Sequence, residues 1–348
     1  MKGKGAQYNP SNPFLKQSTD IIHDEGIDVY THEEKPKTEI YYESPKSVLS
    51  KNNSPDLKWS YSINPYQGCE HGCVYCYARN SHTYWGFSAG LDFESKIIVK
   101  QNVAEQLERK LSASTWKVQP IMLSGNTDCY QPLEKEMGLT RKVLKMLLKY
   151  QNPVSIITKN ALILKDLDVL EEMARKSLVH VYLSITTLNE QLRSLMEPRT
   201  ATAKKKLEAI ETLSNKGIPV GIMNAPIIPG LNHHEIPEIL KQAASHGALE
   251  AGYTVVRLNG QISQIFEDWL TKSYPERSKK VMNQIKELHD GNPNDSEWGR
   301  RLKGDGNYAL IIEQLFSNSK TKYFKDKKMP PYNLNIFRKG GTYNLFDQ

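Results

Sequence analysis

The sequence predicts an α/β protein: a partial (β/α)6 barrel with an N-terminal arm and a basic helical C-terminal extension. Three observations predict it. From about residue 60 to 270, short apolar runs rich in Val and Ile alternate with amphipathic stretches of helical periodicity. Such alternation builds parallel strands covered by helices, and six or so units suit a barrel better than a sandwich. A tight cysteine loop directly follows the first strand, at the strand end where barrels of this kind keep their chemistry. With 348 residues, the chain is long enough for one large domain with a substantial core.

Residues 1–57 are polar and rich in Asn, Pro, Ser and charge, and read as an extended, partly disordered arm. The barrel is expected over 58–272. Its first strand covers Trp59–Pro65 and runs into the cysteine loop. A short extended piece at Lys96–Lys100 precedes an amphipathic helix at Val103–Leu111. Gln119–Leu123 is a buried strand, and Thr140–Tyr150 a helix with Val143, Leu144 and Leu147 on one face. Then follow strand Pro153–Thr158, helix Leu162–Arg175, strand Leu178–Ile185 and helix Ala203–Lys216. Strand Pro219–Ala225, helix Glu235–His246, strand Tyr253–Leu258 and a helix near Ile262–Leu270 complete the unit. Residues 273–348 form the basic extension.

The net charge is +7, and the stretch from Lys272 to Lys328 supplies most of it. That surplus suits either a phosphate-rich partner such as nucleic acid or a solvated lysine-rich surface. No apolar run has membrane-spanning length and no signal peptide follows the basic start, so a soluble cytoplasmic protein without membrane partners is expected. Of four cysteines, three fall within eight residues. A disulfide scaffold spreads its cysteines, so this crowding points to metal ligation in a reducing compartment.

The loop reads Asn64-Pro-Tyr-Gln-Gly-Cys69-Glu-His-Gly-Cys73-Val-Tyr-Cys76-Tyr-Ala-Arg79. Three thiolates in one curled loop can hold one face of a [4Fe–4S] cube and leave the fourth iron without a protein ligand. A site left open in this way can take a cofactor or substrate, whereas a structural site is closed. The same residues also fit a Cys3His zinc site with His71 or His82 as fourth ligand.

Cys-x3-Cys-x2-Cys with an aromatic before the last cysteine resembles the motif of the radical S-adenosylmethionine (SAM) superfamily. The likeness extends to the spore photoproduct lyase branch of DNA-repair-photolyase-like proteins. It is carried by Cys73-Val-Tyr-Cys76-Tyr77, Ser124-Gly-Asn-Thr-Asp128-Cys129-Tyr-Gln-Pro, Ile157-Thr-Lys159, Leu183-Ser-Ile185, Glu197-Pro-Arg-Thr200 and Pro219-Val-Gly-Ile-Met-Asn-Ala-Pro226. The resemblance implies a radical SAM partial barrel. It also implies a [4Fe–4S] cluster on Cys69, Cys73 and Cys76, and SAM cleaved there to a 5′-deoxyadenosyl radical. A flavodoxin- or ferredoxin-type electron donor follows from that chemistry. By the same resemblance Tyr75 lies near the adenine. Gly125, Asn126 and Asp128 meet the SAM ammonium, Lys159 its carboxylate and Ser184 the ribose. Arg199 holds a carboxylate or phosphate, and Asn224 joins the cofactor set. The lyase keeps its hydrogen-donating cysteine in a position that Asn126 occupies here, which leaves Cys129 as a shifted donor and Tyr77 as a relay.

The function this implies is hydrogen abstraction on nucleic acid, as in DNA lesion repair. Alternative readings are a radical SAM enzyme for RNA, a peptide or a small metabolite, and a non-enzymatic iron–sulfur or zinc protein that binds nucleic acid. Trp298-Gly-Arg300-Arg301-Leu-Lys303 suits phosphate contact and base stacking. The terminal Leu345-Phe346 faintly resembles replication-clamp-binding peptides, with Thr342 where their glutamine stands.

Overall fold

The computed structural model describes residues 3–14, 37–57 and 59–341. In chain order its strands are β1 (Glu39–Glu43), β2 (Leu49–Lys51), β3 (Tyr61–Ile63), β4 (Tyr66–Gln67) and β5 (Lys96–Lys100). Then come β6 (Ile121–Leu123), β7 (Val154–Thr158), β8 (Val179–Ser184), β9 (Val220–Ile227) and β10 (Ala251–Val255). The main sheet has the order β10-β9-β8-β7-β6-β3-β2. Its pairs from β3 to β10 are all parallel, and β2 adds antiparallel on the outside through Leu49↔Ile63. β3, β6, β7, β8, β9 and β10 are thus the six parallel strands, and among the described residues β3 and β10 are not paired with each other.

These strands read as near-continuous Val/Ile/Leu runs because parallel strands are covered on both faces. Ile156, Val181, Leu183 and Ile222 are all wholly buried. Between the strands lie the helices Val103–Ser112, Leu139–Tyr150, Leu167–Arg175, Ala203–Asn215 and Ile236–Ser245, with Ile262–Ser273 after the last. Each turns one apolar stripe inward; Val143, Leu144 and Leu147 are the buried face of the second.

Three expectations shift. The predicted helix 162–175 divides into a 3-10 turn, Ala161–Asp166, and an α-helix from Leu167. The Asn160 side chain caps the turn by accepting from Leu162 N, and the buried Asp166 carboxylate accepts from Tyr130 and Arg141. Lys96–Lys100 is a strand, but it lies in a second sheet, β1-β5-β4, outside the barrel. The stretch expected as an arm supplies β1 and β2, one strand to each sheet.

The C-terminal extension contributes the helices Ser278–Glu287 and Gly306–Phe324. Beyond them the chain crosses the N-terminal ends of the strands. Asn333 N donates to Ser177 O (3.0 Å), Arg338 N to Tyr150 O (2.9 Å), and Tyr332 stacks on His180 at 3.9 Å. The opposite end, where the cysteine loop emerges, stays clear of it. Among the described residues no helix is long and apolar enough to cross a membrane. Thr342, Leu345 and Phe346 lie outside the described residues.

Candidate active site

After β3 and β4 the chain turns into the cysteine loop at Gly68 and Gly72, both with positive φ (81° and 67°). At Gly72 a Cβ would also lie 2.6 Å from Glu94 Oε2, so space and backbone both require glycine. Turn bonds Gly72 N–Cys69 O and Cys76 N–Cys73 O curl the loop, and Cys69 N and Val74 N tie it to Phe93 O and Met196 O. The wholly buried Arg79 then fixes it from behind. Its guanidinium donates to the carbonyls of Cys73, Gly72, Ala89 and Gly90, and pairs with the wholly buried Glu94.

The three thiols are unpaired as disulfides; Cys69 and Cys73 are buried and Cys76 is half-buried. Burial pushes each thiol's pKa up, and for Cys69 repulsion by Asp128, Cys73 and Cys76 adds to it. Lys159 and Lys206 oppose the shift at Cys73, and Arg79 and Lys159 at Cys76. Three thiols within electrostatic reach of one another, two of them buried and two backed by cations, are the donor type that an iron–sulfur cluster takes as thiolates. Of the two histidines of the zinc alternative, His71 is engaged through both ring nitrogens, whereas His82 is held by ring packing with both nitrogens buried and without a partner. His71 Nδ1 lies 3.3 Å from Asp128, with its Nε2 against Asn160, and the His82 ring packs between Phe87 and Phe93.

Around the loop, the strand ends converge on one polar network. Ser124, after β6, adopts a left-handed turn (φ 73°), and its hydroxyl accepts from Cys129 N. At Gly125 a Cβ would meet Ser62 Cβ at 2.7 Å, and the Gly125 carbonyl accepts from the Tyr77 hydroxyl at 2.7 Å. Asn126 bonds through its backbone to Asn64 Oδ1 and through its amide to Ser81 and Gln67. The Asp128 carboxylate accepts from Tyr130 N, Thr158 Oγ1 and Lys159 N, each at 2.8 Å. Burial alone would raise its pKa; His71 and these donors hold it below the usual carboxylate range. Asp128 therefore organises the β6 and β7 ends.

Lys159 follows β7. Its ammonium donates to Ser184 Oγ (2.7 Å), Thr186 Oγ1 (3.1 Å) and Ala225 O (3.1 Å), and lies 3.2 Å from Glu197. Glu197 is wholly buried and also receives the Tyr75 and Thr186 hydroxyls and Lys206. Burial favours its neutral form, but Lys159 and Lys206 outweigh that and hold the carboxyl well below the usual range. Tyr75 is consequently turned inward, with Lys159 Nζ 5.6 Å from its ring centre. Arg199 donates to Glu94 O and lies 3.7 Å from Glu70, and its Nε is a buried donor without a partner. Asn224, on β9, donates to Ile185 O, and its Oδ1 is a buried acceptor without a partner. An orphaned acceptor among the strand ends suits a cofactor that brings ammonium or hydroxyl groups.

Two expectations need correction. Cys129 follows the mouth-side end of β6 but does not line the mouth. It is wholly buried in the main core, where burial pushes its thiol up and Ser124 and Thr140 are its hydroxyl neighbours. Tyr77, by contrast, is 57% exposed. The basic loop is also less free than its sequence suggests, because Arg300 pairs with Asp295 and Arg301 with Asp56. Arg79, Glu94, Glu197, Thr186 and Lys206 were missed as site residues. Arg79 and Glu197 both lie inside the quoted motifs, but nothing in their spacing announces burial.

The cysteine loop thus lies beside a polar network drawn from the ends of successive strands, an arrangement that suits a reactive centre more than a closed structural site. The family model of the Radical SAM superfamily matches residues 63–243. The chain belongs to that superfamily, whose members use a [4Fe–4S] cluster and SAM. It is 32% identical to an uncharacterized protein of Mycobacterium tuberculosis, over 71% of this chain and 73% of that protein. An uncharacterized protein of Methanocaldococcus jannaschii is 29% identical over 71% of this chain and 88% of its own length. Among solved structures, spore photoproduct lyase complexed with dinucleoside spore photoproduct superposes with a TM-score of 0.60. That match is 15% identical and covers 82% of this chain and 79% of the lyase, so it establishes the fold.

Proposed function

We propose that this radical SAM enzyme abstracts hydrogen from a nucleic acid, with repair of DNA lesions as its reaction. The observation that carries the reading is a row of exposed aromatics on the Tyr77–Trp85 turn, which directly continues the cysteine loop. Tyr77, Tyr84 and Trp85 are 57%, 76% and 40% exposed, and Phe14 stacks on Tyr84 at 5.0 Å. Exposed rings beside a reactive centre offer stacking faces to bases, at about 1–3 kcal/mol each. The similar fold of a lyase that binds a dinucleoside photoproduct agrees with this reading.

In this proposal Cys69, Cys73 and Cys76 hold the cluster. Asn224 Oδ1 and the strand-end carbonyls near Gly125 accept from SAM. Lys159 exchanges one of its present acceptors for the SAM carboxylate, a charge-assisted contact. When bound, the cluster and SAM supply the hydrogen-abstracting species. The protein's part is to orient both and to keep water from the buried network around Glu197. A flavodoxin- or ferredoxin-type donor would reduce the cluster, in the cytoplasm.

The test is anaerobic reconstitution with SAM and reductant, followed by mass analysis of ultraviolet-irradiated DNA. Loss of a dimeric lesion with recovery of the parent bases is expected. If 5′-deoxyadenosine forms while every lesion persists, the repair reading falls and the enzyme class stands.

A further inference from the structure

Where the chain leaves β10 at the mouth, three arginines and two aspartates gather. Arg300 Nε lies 2.5 Å from Asp295 Oδ2, and Glu297 N takes the other oxygen at 2.8 Å. Arg301 Nε lies 2.5 Å from Asp56 Oδ2, and Gly299 N takes Oδ1 at 2.6 Å. Both carboxylates are thereby filled. Arg257, half-buried, is the surplus cation: no hydrogen bond or ion pair reaches it among the described residues, and its Nε is buried without a partner. Burial, then the neighbouring Arg301, push its pKa down, against the pull of Asp295 and Asp56. A guanidinium drawn partly out of water with nothing to bind is unfavourable, and an incoming anion relieves it.

We propose that Arg257 receives a phosphate group of the substrate at the barrel mouth. A planar fork of donors suits two phosphate oxygens at once. The segment that carries it is tied to the cysteine-loop side of the fold, since Asn259 O, two residues on, accepts from Asn80 on the Tyr77–Trp85 turn at 2.8 Å. Trp298, in the loop that carries Arg300 and Arg301, is 60% exposed and presents a further stacking face. The identity of the phosphate as a nucleic-acid phosphodiester rests on the function proposed above.

The experiment is anaerobic fluorescence anisotropy of the reconstituted protein with a labelled single-stranded oligodeoxynucleotide, across a salt series. Arg257→Gln is compared with Arg175→Gln, which removes an exposed cation of the helix Leu167–Arg175. Arg257→Gln should weaken binding roughly tenfold, and the log–log salt slope should become shallower by about 0.7, one phosphate on a single strand. Arg175→Gln should leave both unchanged. Because Arg257 has no partner and faces Arg301, its substitution should not lower the melting temperature. Equal binding by both variants overturns the proposal. A second arm uses thymidine 5′-monophosphate and thermal stabilisation. Wild-type protein that ignores the oligonucleotide, but is stabilised by the nucleotide in an Arg257-dependent way, keeps the phosphate site and sinks the nucleic-acid reading. A wild-type protein that binds neither probe sinks both.

Discussion

The residue on which the site balances is Glu197. One carboxylate faces two ammonium groups, the half-buried Lys159 and the buried Lys206, and the net positive charge left over lies beside Cys73. Glu197→Gln strands both cations without a counter-charge, a change that costs about 3–5 kcal/mol in buried pairs. A large fall in the urea midpoint is therefore expected. Glu197→Gln combined with Lys206→Met should recover part of it, because one uncompensated charge is removed together with the carboxylate. A single variant that unfolds at the wild-type midpoint would mean that the network does not support the fold. At this scale the sequence was half legible. The ligand spacing names Cys69, Cys73 and Cys76, and strand-end position brings Lys159, Ser184 and Asn224 to one place. It does not reveal that Asp128 spends its oxygens on backbone, Thr158 and His71, or that Cys129 is buried in the core. Those depend on side-chain direction, which a one-dimensional pattern does not hold.

Among the elements, the first described segment is the least expected. Residues 3–14 lie across the back of the cysteine loop, where Gly5 N and Ala6 N donate to the Glu94 carboxylate at 3.0 and 2.7 Å. Asn12 reaches the carbonyls of Thr83 and Phe87, and Ser11 O accepts from Gln261. Glu94 thus joins this strap to Arg79 and through it to the loop carbonyls. At Gly5 a Cβ would fall 1.7 Å from Gly72 O, so no side chain fits without lifting the strap. Gly5→Val should detach it, making Lys4 and the segment after it sensitive to limited proteolysis and leaving the reconstituted cluster shorter-lived in air. Iron content that decays at the wild-type rate would argue that the strap shields nothing. Composition alone marked this stretch as an arm, since it lacks apolar periodicity. Its anchoring is by backbone N–H groups and isolated side chains such as Asn9 and Asn12, which carry no period. The barrel strands and helices were legible within a few residues because burial on both strand faces and on one helix stripe imposes periods that the sequence must obey.

For the whole molecule, the two ends of the barrel have separate duties, and this can be tested by shortening the chain. The segment after Phe324 seals the N-terminal ends of β7 and β8 through Tyr332, Asn333 and Arg338, and packs Ile336 and Phe337 on the main core. The cysteine loop, the Glu197 network and Arg257 all lie at the other end. Truncation after Phe324 removes the partial burial of three large side chains, worth roughly 2–4 kcal/mol at about 25 cal/mol per Å². A lower urea midpoint follows. Iron content per folded molecule and 5′-deoxyadenosine formation should stay at wild-type levels, measured at a temperature where both proteins are folded. A truncated protein that is fully folded but no longer holds iron would mean that the two ends are coupled. The seal would then belong to the site as much as Arg79 does.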